Sequence, residues 1–194
     1  MPNIVYSDTL VNKLNAGETV KIPHAKVVDV MSTKTTATLS VLKPDGTPAM
    51  DINENLLKDV SIGKDYYVNL SEAGIYNVVY TYADDNGNSD SANLAIDAIS
   101  RNKPVITVSG GARSVKVGES FGVGTATCTG EFTKYDLYIF VLGPSGNLKA
   151  VNMNPDEANY MSFKATEQGV YKVVYMVMDQ WHNQALYEYT VTAS

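Results

Sequence analysis

Short runs of alternating apolar and polar residues recur along the chain, and residues typical of turns separate them. In residues 75–83, Tyr76, Val78, Tyr80 and Tyr82 occupy one set of alternate positions. Because a strand presents alternate residues to opposite faces, we expect these side chains to form a buried row. The pattern predicts strands at residues 19–28, 36–42, 66–70, 75–83, 91–97, 120–128, 134–142, 159–165, 170–178 and 185–192.

Three short sequences mark turns between these strands. Pro-Asp-Gly at 44–46 and Pro-Ser-Gly at 144–146 are typical of tight turns, and Asn86-Gly87 predicts a two-residue hairpin. Residues 53–59, NENLLKD, could form a single helical turn, but no other stretch has a helical period. The pattern therefore predicts an all-β protein.

The second half of the chain repeats the first. Residues 71–98 align without a gap with residues 166–193, at a constant offset of 95. Two upstream blocks align in the same order at offsets of 101 and 100, namely 15–25 with 116–126 and 40–46 with 140–146. The changes of offset are small enough to be accommodated in loops.

The length of each repeat fits a single domain. About seven short strands in about 95 residues are typical of a β-sandwich. We therefore predict two tandem domains, 1–99 and 100–194, with a short polar joint at residues 99–104.

Two motifs occur in both repeats. E-x-G-x-Y places Tyr76 and Tyr171 at the start of a predicted strand, and Y-x-x-x-D-x-x-x-N follows along it. The first motif resembles the tyrosine corner of immunoglobulin-like sandwiches. Together they resemble the immunoglobulin-like repeats of bacterial surface proteins and phage virion proteins. Val78 and Val173 stand where such a domain often has the cysteine of its intersheet disulfide.

This resemblance implies a fold and a general role. It implies two tandem immunoglobulin-like β-sandwich domains, with Tyr76 and Tyr171 as structural anchors. It also implies a binding or spacer role and carries no catalytic residue.

The loop after residue 83 is rich in oxygen ligands at alternate positions, as a calcium loop would be. Compared with the pattern D-x-[DN]-x-[DN]-G, however, position six is Ser89 and position twelve is Ala95. We therefore expect a hairpin with solvated acids and keep a calcium site as the alternative. The candidate ligands are Asp84, Asn86, Asn88 and Asp90.

No set of residues predicts catalysis. The one cysteine is Cys128, and the two histidines are His24 and His182. We place Cys128 near the end of a strand and His182 at the tip of a loop, so a cysteine–histidine pair is not expected. Two histidines with one cysteine also make a poor zinc set. We therefore expect no enzymatic activity and no cofactor.

Charge excludes one class of partner and distinguishes the two repeats. The net charge of −6 argues against nucleic acid, whose phosphates need clustered lysine and arginine. No apolar run approaches the roughly 18 residues of a membrane span. Residues 1–98 have seven lysines against thirteen acidic residues, whereas residues 99–194 have eight basic and eight acidic residues. The first repeat is therefore acidic and the second neutral.

The neutral repeat contains the predicted contact residues. Residues 134–142, KYDLYIFVL, and residues 170–178 are apolar at both sets of alternate positions. This is typical of a covered central strand or of a contact surface. The sole tryptophan stands where the first repeat has Asn86, and an Asn-Gly turn gains nothing locally from an indole. The predicted contact residues are Val174, Met176, Met178, Trp181 and His182.

These observations favour a structural or interaction protein. The first hypothesis is an auxiliary or decoration protein of a tailed-phage virion, because the chain starts with methionine and shows no export signal. Its second repeat would dock on the major capsid protein or another virion protein, while the acidic repeat faces solvent. The alternatives are a spacer or adhesive fragment at the bacterial cell surface and a carbohydrate-binding module that recognises a surface glycan.

Overall fold

The computed structural model of the protein describes residues 3–28, 34–155 and 160–194. The chain divides into two units, Met1–Ser100 and Arg101–Ser194, called here the first unit and the second unit. Regular structure in the described residues is entirely β-strand, so the helical turn considered for residues 53–59 does not form. None of these residues belongs to a helix that could cross a membrane.

The first unit combines one five-stranded sheet with two strand pairs. Its strands are β1 (Asn3–Tyr6), β2 (Lys13–Asn15), β3 (Thr19–Ile22), β4 (Ala25–Val28), β5 (Thr35–Leu42), β6 (Val60–Ser61), β7 (Tyr66–Asn69), β8 (Gly74–Asp84) and β9 (Ser89–Ile99). The sheet has the order β2-β9-β8-β5-β6, and β1 pairs with β4 and β3 with β7. β2 and β9 run parallel, and the other strand pairs described in this unit are antiparallel.

The second unit has the same arrangement. Its strands are β10 (Val105–Ser109), β11 (Ser114–Val115), β12 (Ser120–Gly122), β13 (Thr125–Thr129), β14 (Tyr135–Leu142), β15 (Leu148–Met153), β16 (Ser162–Lys164), β17 (Gly169–Asp179) and β18 (Gln184–Ala193). The sheet has the order β11-β18-β17-β14-β15, and β10 pairs with β13 and β12 with β16. As in the first unit, the short edge strand β11 runs parallel to its neighbour, β18.

The buried row predicted along β8 is confirmed. Tyr76, Val78 and Tyr80 are 0% exposed and Tyr82 is 6% exposed. The four counterparts on β17, Tyr171, Val173, Tyr175 and Val177, are all 0% exposed. In the first unit Tyr76, Val78 and Tyr80 belong to one cluster of buried residues that also includes residues from the strand pairs, and in the second unit the whole row belongs to such a cluster. The central strand therefore joins the two layers in both units.

The strand predicted at residues 19–28 is interrupted, and so is its counterpart at 120–128. Pro23 cannot donate a backbone hydrogen bond to a sheet, which separates β3 from β4. The hydroxyl of Tyr80 donates to the carbonyl of Pro23 at 3.1 Å. The hydroxyl of Tyr175 donates to the carbonyl of Gly124 at 2.5 Å. Burial raises the pKa of Tyr80 to about 12, and it raises the pKa of Tyr175 as well.

In the first unit the interruption at Pro23 is also stabilised by contacts between the next residue, His24, and Asp65. The backbone N–H of His24 donates to the Asp65 carboxylate at 2.8 Å, and His24 Nδ1 lies 2.7 Å from the same oxygen. Lys21 Nζ lies 3.1 Å from the other oxygen. These contacts, with the His24 N–H first, lower the pKa of Asp65 to about 2.

The tyrosine-corner motif shares one hydrogen bond between the two units, from the backbone N–H of its glutamate to the tyrosine hydroxyl. The Tyr76 hydroxyl accepts a hydrogen bond from the backbone N–H of Glu72 at 3.1 Å. The Tyr171 hydroxyl accepts hydrogen bonds from the N–H groups of Thr166 and Glu167 and donates to the Glu167 carbonyl at 3.2 Å. Each ring is therefore tied to the segment that leads into its own strand.

The glycine of this motif has a steric explanation. Gly74 and Gly169 have φ values of 132° and 137°, and a side chain on either would lie 2.8 Å from Pro44 or Pro144. Those prolines open the Pro-Asp-Gly and Pro-Ser-Gly turns. In each unit the proline turn therefore packs against the glycine of the E-x-G-x-Y motif. The turn and the glycine must for this reason be retained together.

The two-residue hairpin predicted at Asn86-Gly87 is wrong. The Asp84 N–H donates to the carbonyl of Asn88 at 2.9 Å, and only Gly87 has a positive φ, of 85°. A two-residue type I′ turn would need a positive φ at both central residues. Three residues therefore lie between the paired residues Asp84 and Asn88.

We propose that the two units are independently folding domains, since each has its own core and the same complete set of strands. Fragments 1–100 and 101–194 should each unfold cooperatively on heating. Thermal unfolding followed by circular dichroism measures this, with the intact chain as control. Loss of cooperative unfolding in both fragments would contradict the proposal.

Candidate binding surfaces

The hairpin after the central strand is organised by an aspartate in both units. Asp84 Oδ1 accepts hydrogen bonds from the N–H groups of Asn86 and Asn88, each at 2.9 Å. Its Oδ2 accepts from the side-chain amide of Asn88 at 2.8 Å. The motif D-x-x-x-N therefore closes a turn, which explains why it is duplicated.

The second unit repeats this geometry with different residues at the tip. Asp179 Oδ1 accepts from the N–H groups of Trp181 and Asn183, each at 2.9 Å, and Oδ2 accepts from the Asn183 amide at 2.9 Å. His182 is at the position of Gly87 and has a φ of 67°. The second unit therefore has a histidine in the left-handed region of backbone conformation, where the first unit has a glycine.

Three of the four calcium candidates lie together in the hairpin, where Asp84 binds Asn86 and Asn88. Both oxygens of Asp84 accept hydrogen bonds within the hairpin, and Asp90 instead lies 3.4 Å from the hydroxyl of Tyr82. Across residues 3–28, 34–155 and 160–194, no group of three or more His, Cys, Asp or Glu is placed to hold a metal ion. The hairpin accounts for Asp84 and Asn88 without an ion.

The outer face of the five-stranded sheet in the second unit is apolar. Tyr138 pairs with Met153 on one side and with Met176 on the other, and Met176 pairs with Leu186. Leu186 is 69% exposed and Met153 is 59% exposed. These four residues, Met153, Tyr138, Met176 and Leu186, are called here the apolar row.

A second row beside it is also largely apolar. Phe140 pairs with Val151 and Val174, and Val174 pairs with Glu188. The rings of Phe140 and Tyr138 stack with centroids 6.3 Å apart. The only carboxylate in this row is Glu188, which is bound to Lys172 at 3.1 Å. The two rows together cover four strands.

The same positions of the first unit are polar. Thr38 pairs with Ser61 on one side and Thr81 on the other, and Thr81 pairs with Ser91. These four residues, Ser61, Thr38, Thr81 and Ser91, are called here the hydroxyl row. On each strand the hydroxyl row takes the position that the apolar row takes in the second unit. The outer faces of the two sheets are therefore polar in one unit and apolar in the other at these positions.

Only some of these residues were contact candidates from the sequence. Val174 and Met176 lie in the two rows, and Met178 follows on the same face of β17 with Gln184 Nε2 3.5 Å from its sulfur. Trp181 is half-buried and His182 is exposed at the hairpin tip.

The residues that sequence reasoning missed are Tyr138, Phe140, Val151, Met153 and Leu186. The apolar pattern of KYDLYIFVL was a signal for the first two, but β15 was not predicted.

The cysteine and the two histidines have different surroundings. Cys128 is half-buried on β13, where burial raises the pKa of its thiol and a hydrogen bond with Tyr135 only partly offsets this. A raised pKa is the opposite of what an activated thiolate needs. His24 contacts Asp65 in the first unit, and His182 lies at the hairpin tip of the second.

Neither a protein-family model nor a curated protein matches the sequence. Among solved structures, Dpr11 IG1 bound to DIP-gamma IG+IG2 has a TM-score of 0.52 and 11% identity, over 98% of this chain and 98% of that chain. Dpr2 Ig1-Ig2 in complex with DIP-Theta Ig1-Ig3 has a TM-score of 0.50 and 10% identity, over 98% of this chain and 65% of that one. The fibronectin(III)-like modules of Clostridium thermocellum CbhA align over 100% of this chain and 94% of theirs, at a TM-score of 0.40 and 15% identity.

The strand order agrees on the fold with the two likenesses whose TM-scores are 0.52 and 0.50. Each unit is an immunoglobulin-like domain. The resemblance inferred from the E-x-G-x-Y and D-x-x-x-N motifs is thereby confirmed for the fold. At this identity the likeness shows the fold alone, so the partner of these two immunoglobulin-like domains has to be argued from their own surfaces.

Replacement of His182 tests whether the tip of the second immunoglobulin-like domain has a strained backbone. His182→Val should lower the stability of this domain by about 1–2 kcal/mol, because a β-branched residue is strongly disfavoured at positive φ. His182→Gly should not lower it, since glycine adopts this conformation readily and the counterpart is Gly87. Thermal unfolding of both variants measures the difference. A larger loss for glycine than for valine would show that the left-handed conformation is wrong.

Proposed function

We propose that the protein is a non-enzymatic interaction protein whose second domain binds a protein partner through the outer face of its five-stranded sheet. The observation that carries this proposal is the contrast between the apolar row and the hydroxyl row. The two rows lie at the same register of the same sheet.

Folding does not require the apolar row. The first domain builds the same sheet, with the same buried row beneath it, while carrying hydroxyl side chains on the outside. Contiguous exposed apolar residues favour aggregation in a protein that has no partner for them. Their presence on four adjacent strands therefore supports a role in binding.

The energies involved are sufficient for a specific interface. Complete burial of a leucine or methionine side chain is worth about 1.5–3 kcal/mol, and Leu186 and Met153 still have more than half of their surface exposed. Aromatic residues such as Tyr138 are frequent among interface residues that contribute about 2 kcal/mol or more. The charges of Lys172 and Glu188 on this face are paired with each other, and Asp136 adds a carboxylate beside Met178.

The hairpin tip extends this contact surface along β17. Met178 continues the outer face toward the tip, where Trp181 and His182 replace Asn86 and Gly87 of the first domain. We include Val174, Met176, Met178, Trp181 and His182 in the contact. The acidic first domain, by contrast, would stay in solvent and repel other copies of itself.

We propose further that the partner is the major capsid protein or another protein of a phage virion, with this chain as an auxiliary or decoration protein. The alternative is a spacer or adhesive role at the bacterial cell surface. Mass spectrometry of purified particles and of cell-surface fractions separates the two. Finding the chain in particles in a fixed ratio to the capsid protein supports the virion, and finding it only in surface fractions overturns that assignment.

The contact itself is tested by giving the second domain the residues of the first. The variant Tyr138→Thr/Met176→Thr/Leu186→Ser should fold, because the first domain carries those residues at the same register. Binding to particles or to the isolated partner should weaken more than 100-fold, since three apolar contacts are lost. Co-sedimentation or surface plasmon resonance measures the change.

The matched control changes the same positions in the first domain. Thr38→Ala/Thr81→Ala/Ser91→Ala should leave binding unchanged. If the second-domain variant binds as tightly as the unmodified protein while the control variant loses binding, the contact lies on the first domain and the proposal is wrong.

A further inference from the structure

The first domain contains an open cleft between residues 7–12, which connect β1 with β2, and strand β9. Its volume is about 780 Å³, within the usual size of a site for a small organic ligand. Its lining combines apolar and polar side chains. The apolar lining residues include Leu10, Pro23 and Leu94, and the polar ones include Tyr6, Asp8 and Asn12.

The second domain closes the corresponding space with its own side chains. Tyr189 stands at the position of Leu94, since Val173 pairs with Tyr189 as Val78 pairs with Leu94. Its hydroxyl accepts a hydrogen bond from the N–H of Gly124 at 3.1 Å. The Arg113 guanidinium covers the ring of Tyr189, 4.0 Å from its centroid.

None of these contacts can form in the first domain. Leu94 has no hydroxyl, and Pro23, the counterpart of Gly124, has no N–H. The connection between the first two strands is also longer, at residues 7–12 rather than 110–113. The same fold therefore fills this space with protein in one copy and leaves it open in the other.

Polar atoms along the open cleft are available to a ligand. No protein partner is found in the described residues for the hydroxyl of Tyr6 or the side-chain amide of Asn12. Asp8 accepts a hydrogen bond from the N–H of Thr9, and Lys21 Nζ lies 3.7 Å from it. Lys21 Nζ lies closer to Asp65, at 3.1 Å, so Asp8 keeps part of its negative charge and the cleft disfavours an anionic ligand. A purely apolar ligand would leave Tyr6 and Asn12 without hydrogen bonds, which is costly.

We propose that this cleft binds an uncharged carbohydrate of one or two sugar rings. A sugar ring has an apolar C–H face that suits Leu10, Leu94 and Pro23. Its hydroxyls can both donate to the carboxylate of Asp8 and pair with the amide of Asn12 and the hydroxyl of Tyr6. The site lies in the first domain, so it is independent of the partner contact proposed for the second.

The test is a titration of the isotopically labelled full chain, followed by amide chemical shifts. The probes are glucose, galactose, mannose, N-acetylglucosamine, maltose and cellobiose at millimolar concentrations. At least one should shift the amides of residues 7–12 and 93–95 in a saturable way. If none does, or if the shifts fall elsewhere, the proposal is overturned.

Two variants identify the cleft as the site. Leu94→Tyr introduces the side chain that closes the space in the second domain, and it should weaken sugar binding at least tenfold. Asn12→Ala should also weaken binding without altering the core, because Asn12 is exposed. Val105→Tyr, which adds the same ring at an exposed position of the second domain outside the proposed contact surface, is the control and should bind as before. Unchanged affinity in both cleft variants would contradict the proposal.

Discussion

A buried tyrosine hydroxyl on the central strand holds each domain together across its two layers. Tyr80 and Tyr175 each donate to a backbone carbonyl where the strand opposite is interrupted, at Pro23 and Gly124. That carbonyl has no strand partner at the interruption, and leaving it unbonded in the core would cost about 1–3 kcal/mol. The bond therefore fixes where the opposite layer bends and which face of the central strand is inside.

Once the inside is fixed, the outside of the sheet is free to differ. Both domains keep the buried row, the tyrosine corner and the aspartate-bound hairpin, and these are the matched positions of the sequence repeat. The apolar row and the space beside β9 and β18 are not matched. The differences between the copies consequently indicate function, because the shared fold cannot explain them.

The sequence predicted the fold better than the binding surfaces. The alternation along 75–83 and its repeat were enough to identify the buried rows, because period-two burial is a local property. The short strands β1, β2, β6, β10 and β11 lie at sheet edges, where few buried positions leave a pattern. Outer-face residues on β15 and β18 could not be grouped with Tyr138 and Met176, because their adjacency depends on strand register.

Methionine oxidation tests most directly whether the second domain is the binding domain. Met153 lies in the apolar row and is 59% exposed, and Met50 lies in the first domain and is 57% exposed. In the purified protein both should be oxidised by peroxide at similar rates, since exposure governs access. In the native assembly we expect Met153 to be protected several-fold and Met50 to react as before. Protection of Met50 with free reaction of Met153 would contradict the account.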